Sequence, residues 1–329
     1  WLPPAHAGAP AAASAVLSGL VVKGSWFLVV RLWFQVLPDV VTVPSAQLLG
    51  GLGAAAILLG NLVALRQQRL KLLVAYSTVA QIGYLFLVFP LAFSGSTPQP
   101  NGPLIAGTLQ AISHATAKAA MFMAVGLMYK RLGHDRIGEL AGIGRLLPIG
   151  VLAFLVAGLA LAGLPPSGAY VAKKLLLESA AATGQWWWDP VMQAGGFLTA
   201  AYLVLVLAHA LIPAREPVPV KAPVSRLGEL AALALALCSL LLGVAAAYAG
   251  LPDALSGAFS AEELGFAALL LLGGGVLAAG LALQLPPIRM GKTLGALGRP
   301  LRRGAVSGAT MIVHADRVLR RWPVAGMCM

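Results

Sequence analysis

Residues 159–174 read Leu-Ala-Leu-Ala-Gly-Leu-Pro-Pro-Ser-Gly-Ala-Tyr-Val-Ala-Lys-Lys, and this stretch decides the fold. Pro165 and Pro166 lack a backbone N–H, and a proline disfavours helical geometry in the residue before it, so a helix must end here. Apolar residues continue on both sides over 147–183, where an unbroken helix would be about 55 Å long against a hydrocarbon core of about 30 Å. We therefore expect one broken membrane helix with Lys173 just past the break, an arrangement typical of ion sites. The alternative is a loop between two short helices that leaves Lys173 at the surface.

The composition is that of an all-α, polytopic membrane protein. Hydrophobic residues make up 59% of the chain and charged residues only 10%, and the mean hydropathy of +0.85 excludes a soluble enzyme. Several apolar runs reach or approach the roughly 20 residues that a helix needs to cross a bilayer. We predict about eight transmembrane helices, including the broken one, at 14–36, 45–65, 71–93, 103–129, 147–183, 190–212, 227–250 and 264–285.

The sequence carries no recognisable signal for a cofactor. Cys238 and Cys328 are the only cysteines, and no CxxC pattern, Rossmann glycine fingerprint or phosphate-binding loop occurs. Iron–sulfur clusters and structural zinc need several thiolate or imidazole ligands at short spacing. We therefore expect no cofactor and no metal site in this chain. Because the chain begins at Trp1 without a leading span, we also expect it to be a fragment.

Basic residues alternate with the predicted spans. Most of the 23 Lys and Arg residues fall in the loops 66–71, 130–146 and 213–226 and in the tail 286–329, whereas the alternate loops carry mainly acidic residues. Basic loops of membrane proteins face the cytoplasm, so we predict that these four segments are cytoplasmic and that 147–183 crosses once. The net charge of +12 is accordingly a membrane-surface charge. It argues against nucleic acid as a partner, and it makes the tail a candidate surface for anionic lipid.

Four lysines remain inside the predicted spans: Lys23, Lys118, Lys173 and Lys174. A charge deep in a bilayer is costly, and residues that carry this cost commonly belong to ion or proton pathways. Lys23 and Lys118 lie too far from the ends of their helices to reach water by extending their side chains. Neighbours on a helix point about 100° apart, so Lys173 and Lys174 cannot both face one path. We expect Lys174 to pair with Glu178, four residues on, and Lys173 to face the path.

The fourth span carries a second ionisable group. His114 precedes Lys118 by four residues, so the two side chains share one helix face, which also carries Gln110. A neutral imidazole can accept a proton on one ring nitrogen and release one from the other near neutral pH. This face therefore favours a proton path, and the alternative is a polar contact between helices with no role in transport.

Five segments of the chain resemble, in order, motifs of a known family: the antiporter-like membrane subunits shared by respiratory complex I, energy-converting hydrogenases and Mrp-type Na⁺/H⁺ antiporters. LRQQRLKLLVAYSTVAQIGY at 65–84 is similar to the family's LxQxDxKRLLAYSSxAQxGY, and SHATAKA at 113–119 is similar to its xHAxxKAxLF. WLPPAHAGAP at 1–10, SGLVVKG at 18–24 and the Pro-Pro stretch at 159–174 match three further motifs. Together the matches cover about residues 1–175.

The resemblance implies a proton-translocating transmembrane domain at 1–285 and a basic cytoplasmic tail at 286–329. Two residues depart from the family pattern, because Gln68 stands where the family has an acidic residue and Gln110 where some members have a second histidine. The family's N-terminal half, which supplies an intramembrane Glu and Lys pair, has no counterpart here, and this again indicates a fragment. By position, the implied relay residues are Lys23, His114, Lys118 and Lys173.

The function that the resemblance implies is proton transport by one subunit of a redox-driven complex, of the NADH:quinone oxidoreductase or energy-converting hydrogenase type. The protein would be multi-pass in the cell's inner (plasma) membrane, and its partners would be other membrane subunits and the transported protons. Any redox centre would lie in another chain. The first alternative is a subunit of an Mrp-type Na⁺/H⁺ antiporter, in which Na⁺ would also move. The second is a truncated, inactive scaffold.

Overall fold

The computed structural model describes residues 1–95, 97–214, 218–251 and 255–284, and most of this part of the chain is helical. The α-helices are α1 Leu2–Gly8, α2 Ala11–Val16, α3 Val22–Arg31, α4 Val43–Leu65, α5 Leu70–Phe86, α6 Val88–Leu91, α7 Asn101–Leu132, α8 Ile143–Leu146, α9 Pro148–Ala162, α10 Gly168–Ala182, α11 Trp188–Leu211, α12 Arg226–Tyr248 and α13 Ala261–Gln284. Two π-helical turns, Leu17–Val21 and Leu32–Val36, follow α2 and α3. A 3₁₀ turn lies at Ile137–Glu139, and β1 Phe93–Ser94 pairs antiparallel with β2 Thr97–Pro98.

Within the described ranges, seven apolar helical segments are long enough to cross a membrane, which confirms the all-α, polytopic fold. Their ends lie within a few residues of the predicted spans. The seven segments are Ala11–Val36, Val43–Leu65, Leu70–Leu91, Asn101–Leu132, Trp188–Leu211, Arg226–Tyr248 and Ala261–Gly280. The predicted basic tail at 286–329 lies outside the described residues.

The three basic loops meet at one end of the molecule. Backbone hydrogen bonds join them in pairs: Ile137 N donates to Gln68 O at 2.9 Å, Lys221 N to Arg131 O at 2.8 Å, and Gly142 N to Ile212 O at 2.8 Å. At the opposite end, Gln185 Nε2 donates to the carbonyl oxygens of Pro90 and Phe93. The alternation of charge along the chain is therefore an alternation between the two ends of the helix bundle. That the basic end is cytoplasmic stays a prediction.

The predicted broken helix consists of α9 followed by α10. Each helix has 15 residues, about 22 Å, so neither spans the hydrocarbon core alone. α9 starts beside the basic loop that holds Gly142, and α10 ends next to Gln185 at the opposite end. The pair therefore makes one crossing, and the helices on either side keep the predicted order.

Glycines allow α4 and α5 to approach closely. A Cβ atom on Gly53 would lie 2.7 Å from the carbonyl oxygen of Gly83, and one on Gly60 would lie 2.8 Å from the backbone nitrogen of Ala80. Close backbone approach at small residues is the usual way in which helices associate inside a bilayer. The tight packing brings the polar side chains of α5 into the centre of the bundle, where α7 lies across them.

Candidate functional site

The helix break is built around Gly163. This residue has φ +87°, a left-handed conformation that favours glycine, and it ends α9. Gly163 N donates to Ala160 O at 3.1 Å and Leu164 N donates to Leu159 O at 3.2 Å, which is the hydrogen-bond pattern of a Schellman motif. This pattern leaves the last two carbonyls of α9, those of Leu161 and Ala162, without a backbone donor.

Lys173 supplies the missing donor. Its Nζ atom donates to Ala162 O at 2.9 Å and to Leu161 O at 3.3 Å. The same atom lies 4.9 Å from the centre of the Tyr84 ring, a cation–π distance. Lys173 is 9% exposed, which rules out the surface position that the alternative interpretation of the break required. The lysine that follows the break is thus held against the end of the first half-helix.

Lys118 lies on α7 and is completely buried. Its Nζ atom donates to Val74 O at 3.2 Å and forms a short hydrogen bond with Ser77 Oγ. Both partners lie on α5, so the Lys118 side chain links α7 to α5. Its two acceptors, a carbonyl and a hydroxyl, carry no formal charge.

Lys23 follows the first π-helical turn. Its Nζ atom donates to Ser18 O inside that turn, and Ser18 Oγ lies 3.0 Å from Thr78 Oγ1 on α5. π-Helical turns often mark functional positions because they shift the backbone hydrogen bonds of a helix by one residue. Lys23 lies within electrostatic range of Lys118, and both side chains are buried in the bundle.

His114 is fully buried on the same face of α7 as Lys118, and both lysines lie within its electrostatic range. Neither ring nitrogen has a hydrogen-bond partner within the described parts of the chain. A buried imidazole with both nitrogens unbonded is uncommon, because most buried polar side chains are hydrogen-bonded. Lys23, His114 and Lys118 therefore form one buried cluster of groups that lie within electrostatic range of one another, of which the sequence predicted only that His114 and Lys118 share a helix face.

Two glutamines connect this cluster with the break. Gln110, four residues before His114, donates through Nε2 to Gln81 Oε1 at 2.9 Å. Gln81 Nε2 in turn lies 3.4 Å from Leu161 O, the carbonyl that also accepts from Lys173. Hydrogen bonds of two neutral amide groups thus lead from the carbonyl that binds Lys173 to Gln110, which lies one helical turn before His114 on α7.

Carboxylates take no part in this arrangement. Among the residues that the structure describes, no ion pair involves Lys23, Lys118 or Lys173, and no cluster of three metal-ligating side chains is present. The predicted ion pair between Lys174 and Glu178 is wrong. Lys174 Nζ donates instead to the carbonyl oxygen of Ser256 at 3.0 Å, because the segment before α13 lies against α10.

The sequence patterns do not indicate several buried ionisable residues, among them His6, Asp135 and Glu229. His6 was assigned no role, yet it is completely buried, stacks on Phe122 at 4.6 Å and lies within electrostatic range of Lys23 and Lys118. Its position inside the segment at 1–10 that resembles the family was the available signal. Asp135 and Glu229 are also buried, but both lie at the basic end, where they bind backbone N–H groups.

The fold and the site together define a class: a polytopic membrane protein with a central row of buried lysines, histidines and glutamines. Residues 1–199 match the family described as NADH:quinone oxidoreductase/Mrp antiporter, TM. The chain belongs to this family and is a multi-pass membrane protein.

Individual relatives agree with this assignment. The chain is 31% identical over 228 residues to the NADH-quinone oxidoreductase subunit N of Desulforudis audaxviator, which covers 67% of this chain and 44% of the relative. It is 29% identical over 178 residues to the Hydrogenase-4 component F homolog of Methylacidiphilum infernorum, which covers 54% of this chain and 36% of the relative. The chain thus matches less than half the length of these curated relatives.

A solved structure shares the fold. A chain of the Mrp complex from Dietzia sp. DQ12-45-1b superimposes with a TM-score of 0.67 at 24% identity, over 85% of this chain and 57% of that chain. At this identity the likeness establishes the arrangement of helices and nothing about the transported ion.

Proposed function

We propose that this chain moves protons across the inner (plasma) membrane as one subunit of a redox-driven complex related to NADH-quinone oxidoreductase or hydrogenase-4. The relatives named above, whose printed names include an oxidoreductase subunit and a hydrogenase component, support this choice of complex. The other membrane subunits of such a complex would be its partners, and the electron carriers would lie in those or further chains.

One observation carries the proposal: an imidazole and three amines lie buried inside the bundle, and the amines have uncharged hydrogen-bond acceptors. The described hydrogen bonds of Lys23, Lys118 and Lys173 all go to carbonyl or hydroxyl oxygens. A lysine paired with a carboxylate would be held in its charged form, whereas neutral acceptors bind the ammonium without adding a counter-charge. Such an amine can lose and regain its proton without leaving an opposite charge stranded.

The proposed order of transfer runs from the cluster through the two glutamines to the break. Lys23, His114 and Lys118 exchange protons within their cluster, His114 serving as an imidazole that can accept on one nitrogen and release from the other. The amide groups of Gln110 and Gln81 bridge the distance to Lys173 and orient the water that would carry protons between the two places. Lys173 then exchanges protons with the end of the molecule opposite the basic loops.

The test compares two lysines of α7 in the complete protein within its complex. Lys118→Met should lower proton transfer into inverted membrane vesicles by at least about a hundredfold, the usual contribution of a positioned acid or base. Lys130→Met, at an exposed lysine near the basic end of the same helix, should keep the normal rate. Equal rates in the two variants would show that Lys118 serves packing between helices and not proton transfer.

The same vesicles distinguish the alternatives. In a redox-driven pump, transfer requires the electron donor and does not depend on a Na⁺ gradient. Proton transfer that follows an imposed Na⁺ gradient without any electron donor would instead assign the chain to an antiporter. No transfer in the complete, assembled wild-type protein would indicate an inactive scaffold.

A further inference from the structure

A partly open cavity of about 280 Å³ lies beside Lys173, lined by α10, α11, α13 and the end of α9. The described residues that matter for its chemistry are Gly163, Tyr170, Lys173, Gln193, Glu262 and Glu263. A water molecule occupies about 30 Å³ in the liquid, so the cavity has room for several waters between the ammonium group and the two carboxylates. No residue of α13 belongs to the region that matches the family, because the match ends at residue 199.

The cavity lies toward the end of the molecule opposite the basic loops. α11 begins at that end, next to Gln185, and α13 runs parallel to it, since Gly273 packs against Phe197 and Gly274 against Ala201. The first turn of α13, which contains Glu262 and Glu263, therefore lies near the same membrane surface. Of these two residues, Glu262 is exposed and Glu263 is half-buried, so the carboxylates lie between bulk solvent and the cavity.

Tyr170 adds a buried polar group to the cavity wall beside Glu263. Its side chain lines the cavity and is only 7% exposed, yet its buried hydroxyl group has no hydrogen bond of acceptable geometry among the described residues. The hydroxyl lies close to the carboxylate of Glu263. A buried hydroxyl without a partner is costly, and water between it and the carboxylate would satisfy both groups.

We propose that this cavity is the hydrated chamber through which Lys173 exchanges protons with the solvent at that surface, and that Glu263 is the residue that relays them. This inference rests on the proposed function. In the outward direction, the Lys173 ammonium gives one proton through chamber water to the Glu263 carboxylate, which leaves a neutral amine and a carboxylic acid. The acid then releases the proton to bulk water and becomes a carboxylate again, so charge and protons balance.

The other charged groups around the chamber fit this role. Lys174 and Glu262 also line it, and Glu178 lies within electrostatic range of Tyr170. α11 contributes Gln193 but no ionisable lining residue. The lining charges of the two lysines and the two glutamates balance, so the chamber as a whole attracts neither anions nor cations strongly.

The first test measures hydration and does not depend on transport. In a background with Cys238 and Cys328 replaced by serine, Gln193→Cys places a thiol on the chamber wall. In intact cells it should react with a membrane-impermeant, positively charged thiosulfonate reagent. Leu241→Cys, on the exposed apolar face of α12, is the matched control and should not react. An unreactive Gln193→Cys would overturn the hydrated chamber even if the protein transfers protons normally.

The second test measures transfer in the complete complex. Glu263→Gln should lower the rate by about tenfold or more, and Glu263→Asp should restore much of it, because a carboxylate at this position is what the relay needs. Asp189→Asn removes an exposed carboxylate from the first turn of α11 at the same end and should leave the rate unchanged. A normal rate in Glu263→Gln, in vesicles where Lys118→Met is inactive, would refute the role of Glu263 and leave the proposed function standing.

Discussion

The basic end and the interior of this protein treat buried charge in opposite ways. At the basic end, Arg69 Nε donates to Asp135 Oδ1 at 2.9 Å, and the aspartate is only 4% exposed. In the interior, Lys118 and Lys173 are also buried, but their described hydrogen-bond partners are uncharged oxygens. A paired charge is fixed in place and in protonation state, whereas an unpaired amine can change state. The comparison separates the charges that build the fold from those available for transfer.

The basic end shows what a paired charge does. Asp135 also lies within hydrogen-bonding reach of Lys71 N, at 3.4 Å, and its carbonyl oxygen accepts from Leu70 N at 2.7 Å. These bonds satisfy backbone N–H groups in the first turn of α5, which have no partner within the helix. Glu229 does the same for α9 by accepting from Gly150 N at 3.0 Å.

The largest effect should come from the unpaired amine at the break. Lys173→Met removes the group that binds the last carbonyls of α9, and we expect proton transfer to fall by at least about a hundredfold while the complex still assembles. Lys174→Met should retain far more transfer, because Lys174 bonds to Ser256 and not to the break. Transfer rates in vesicles, normalised to the assembled complex, provide the measurement. The reverse order of the two rates would show that the relay lysine is wrongly assigned.

A paired charge should affect stability and not transfer. Asp135→Ala removes the carboxylate that accepts from Arg69 Nε and Lys71 N, and we expect a loss of about 2 kcal/mol in the free energy of unfolding. The thermal midpoint of the purified complex should fall, while the transfer rate per assembled complex stays normal. A normal thermal midpoint combined with a loss of proton transfer would show that a charge at the basic end takes part in transfer, which contradicts the comparison.

Gly163→Ala should lower both the stability and the rate of proton transfer, but each by less than the substitutions above. The left-handed conformation at φ +87° costs a residue with a Cβ about 1 kcal/mol, and the added methyl group would lie 3.0 Å from Lys173 Nζ. We expect a small drop in the thermal midpoint and a partial drop in transfer. Gly184→Ala provides the control, since Gly184 also has a positive φ, of 70°, but has open space around it and lies away from the break. It should lose stability and keep its transfer rate.

The smallest effect belongs to the exposed pair at the basic end. Arg136 Nη1 and Glu139 Oε1 lie 2.8 Å apart, but both side chains are well exposed, and the pair lies on the surface of the loop. Exposed ion pairs contribute little to stability. Glu139→Gln should therefore leave both the thermal midpoint and the transfer rate unchanged. A clear loss of stability would mean that exposure is a poor guide to the importance of charges at this end.

Much of the fold could be predicted from the sequence because hydropathy and helix length are local properties. The spans, the break at Pro165 and Pro166 and the alternation of basic loops all depend on residues close together in the chain. The burial of Lys23 and Lys118 followed from their distance to the ends of the spans, that of His114 from the helix face it shares with Lys118, and that of Lys173 from its place just past the break. That these residues serve as a relay stays a prediction.

The contacts within the site could not be predicted in the same way. The contacts of Lys118 with Ser77 and of Gln110 with Gln81 depend on how α5 and α7 pack against each other. A single sequence does not specify this packing. The burial of His6 could not be predicted, because α1 is too short for its hydropathy to indicate a membrane span. The Lys174–Glu178 pair failed because helical spacing alone takes no account of a neighbouring segment, here the one that contains Ser256.

The bond between Lys173 and the end of α9 has a consequence for the size of the charge that the membrane must accommodate. The aligned peptide groups of a helix place about half an elementary negative charge at its C-terminal end. With a protonated lysine, the break carries a net charge of about plus one half, and with a neutral lysine about minus one half. If a carboxylate took the place of the helix end, its pair with the lysine would have a net charge of zero when the lysine is protonated and of minus one when the lysine is neutral. The half-helix thus acts as a fractional counter-ion, and neither protonation state brings a whole uncompensated charge into the bilayer.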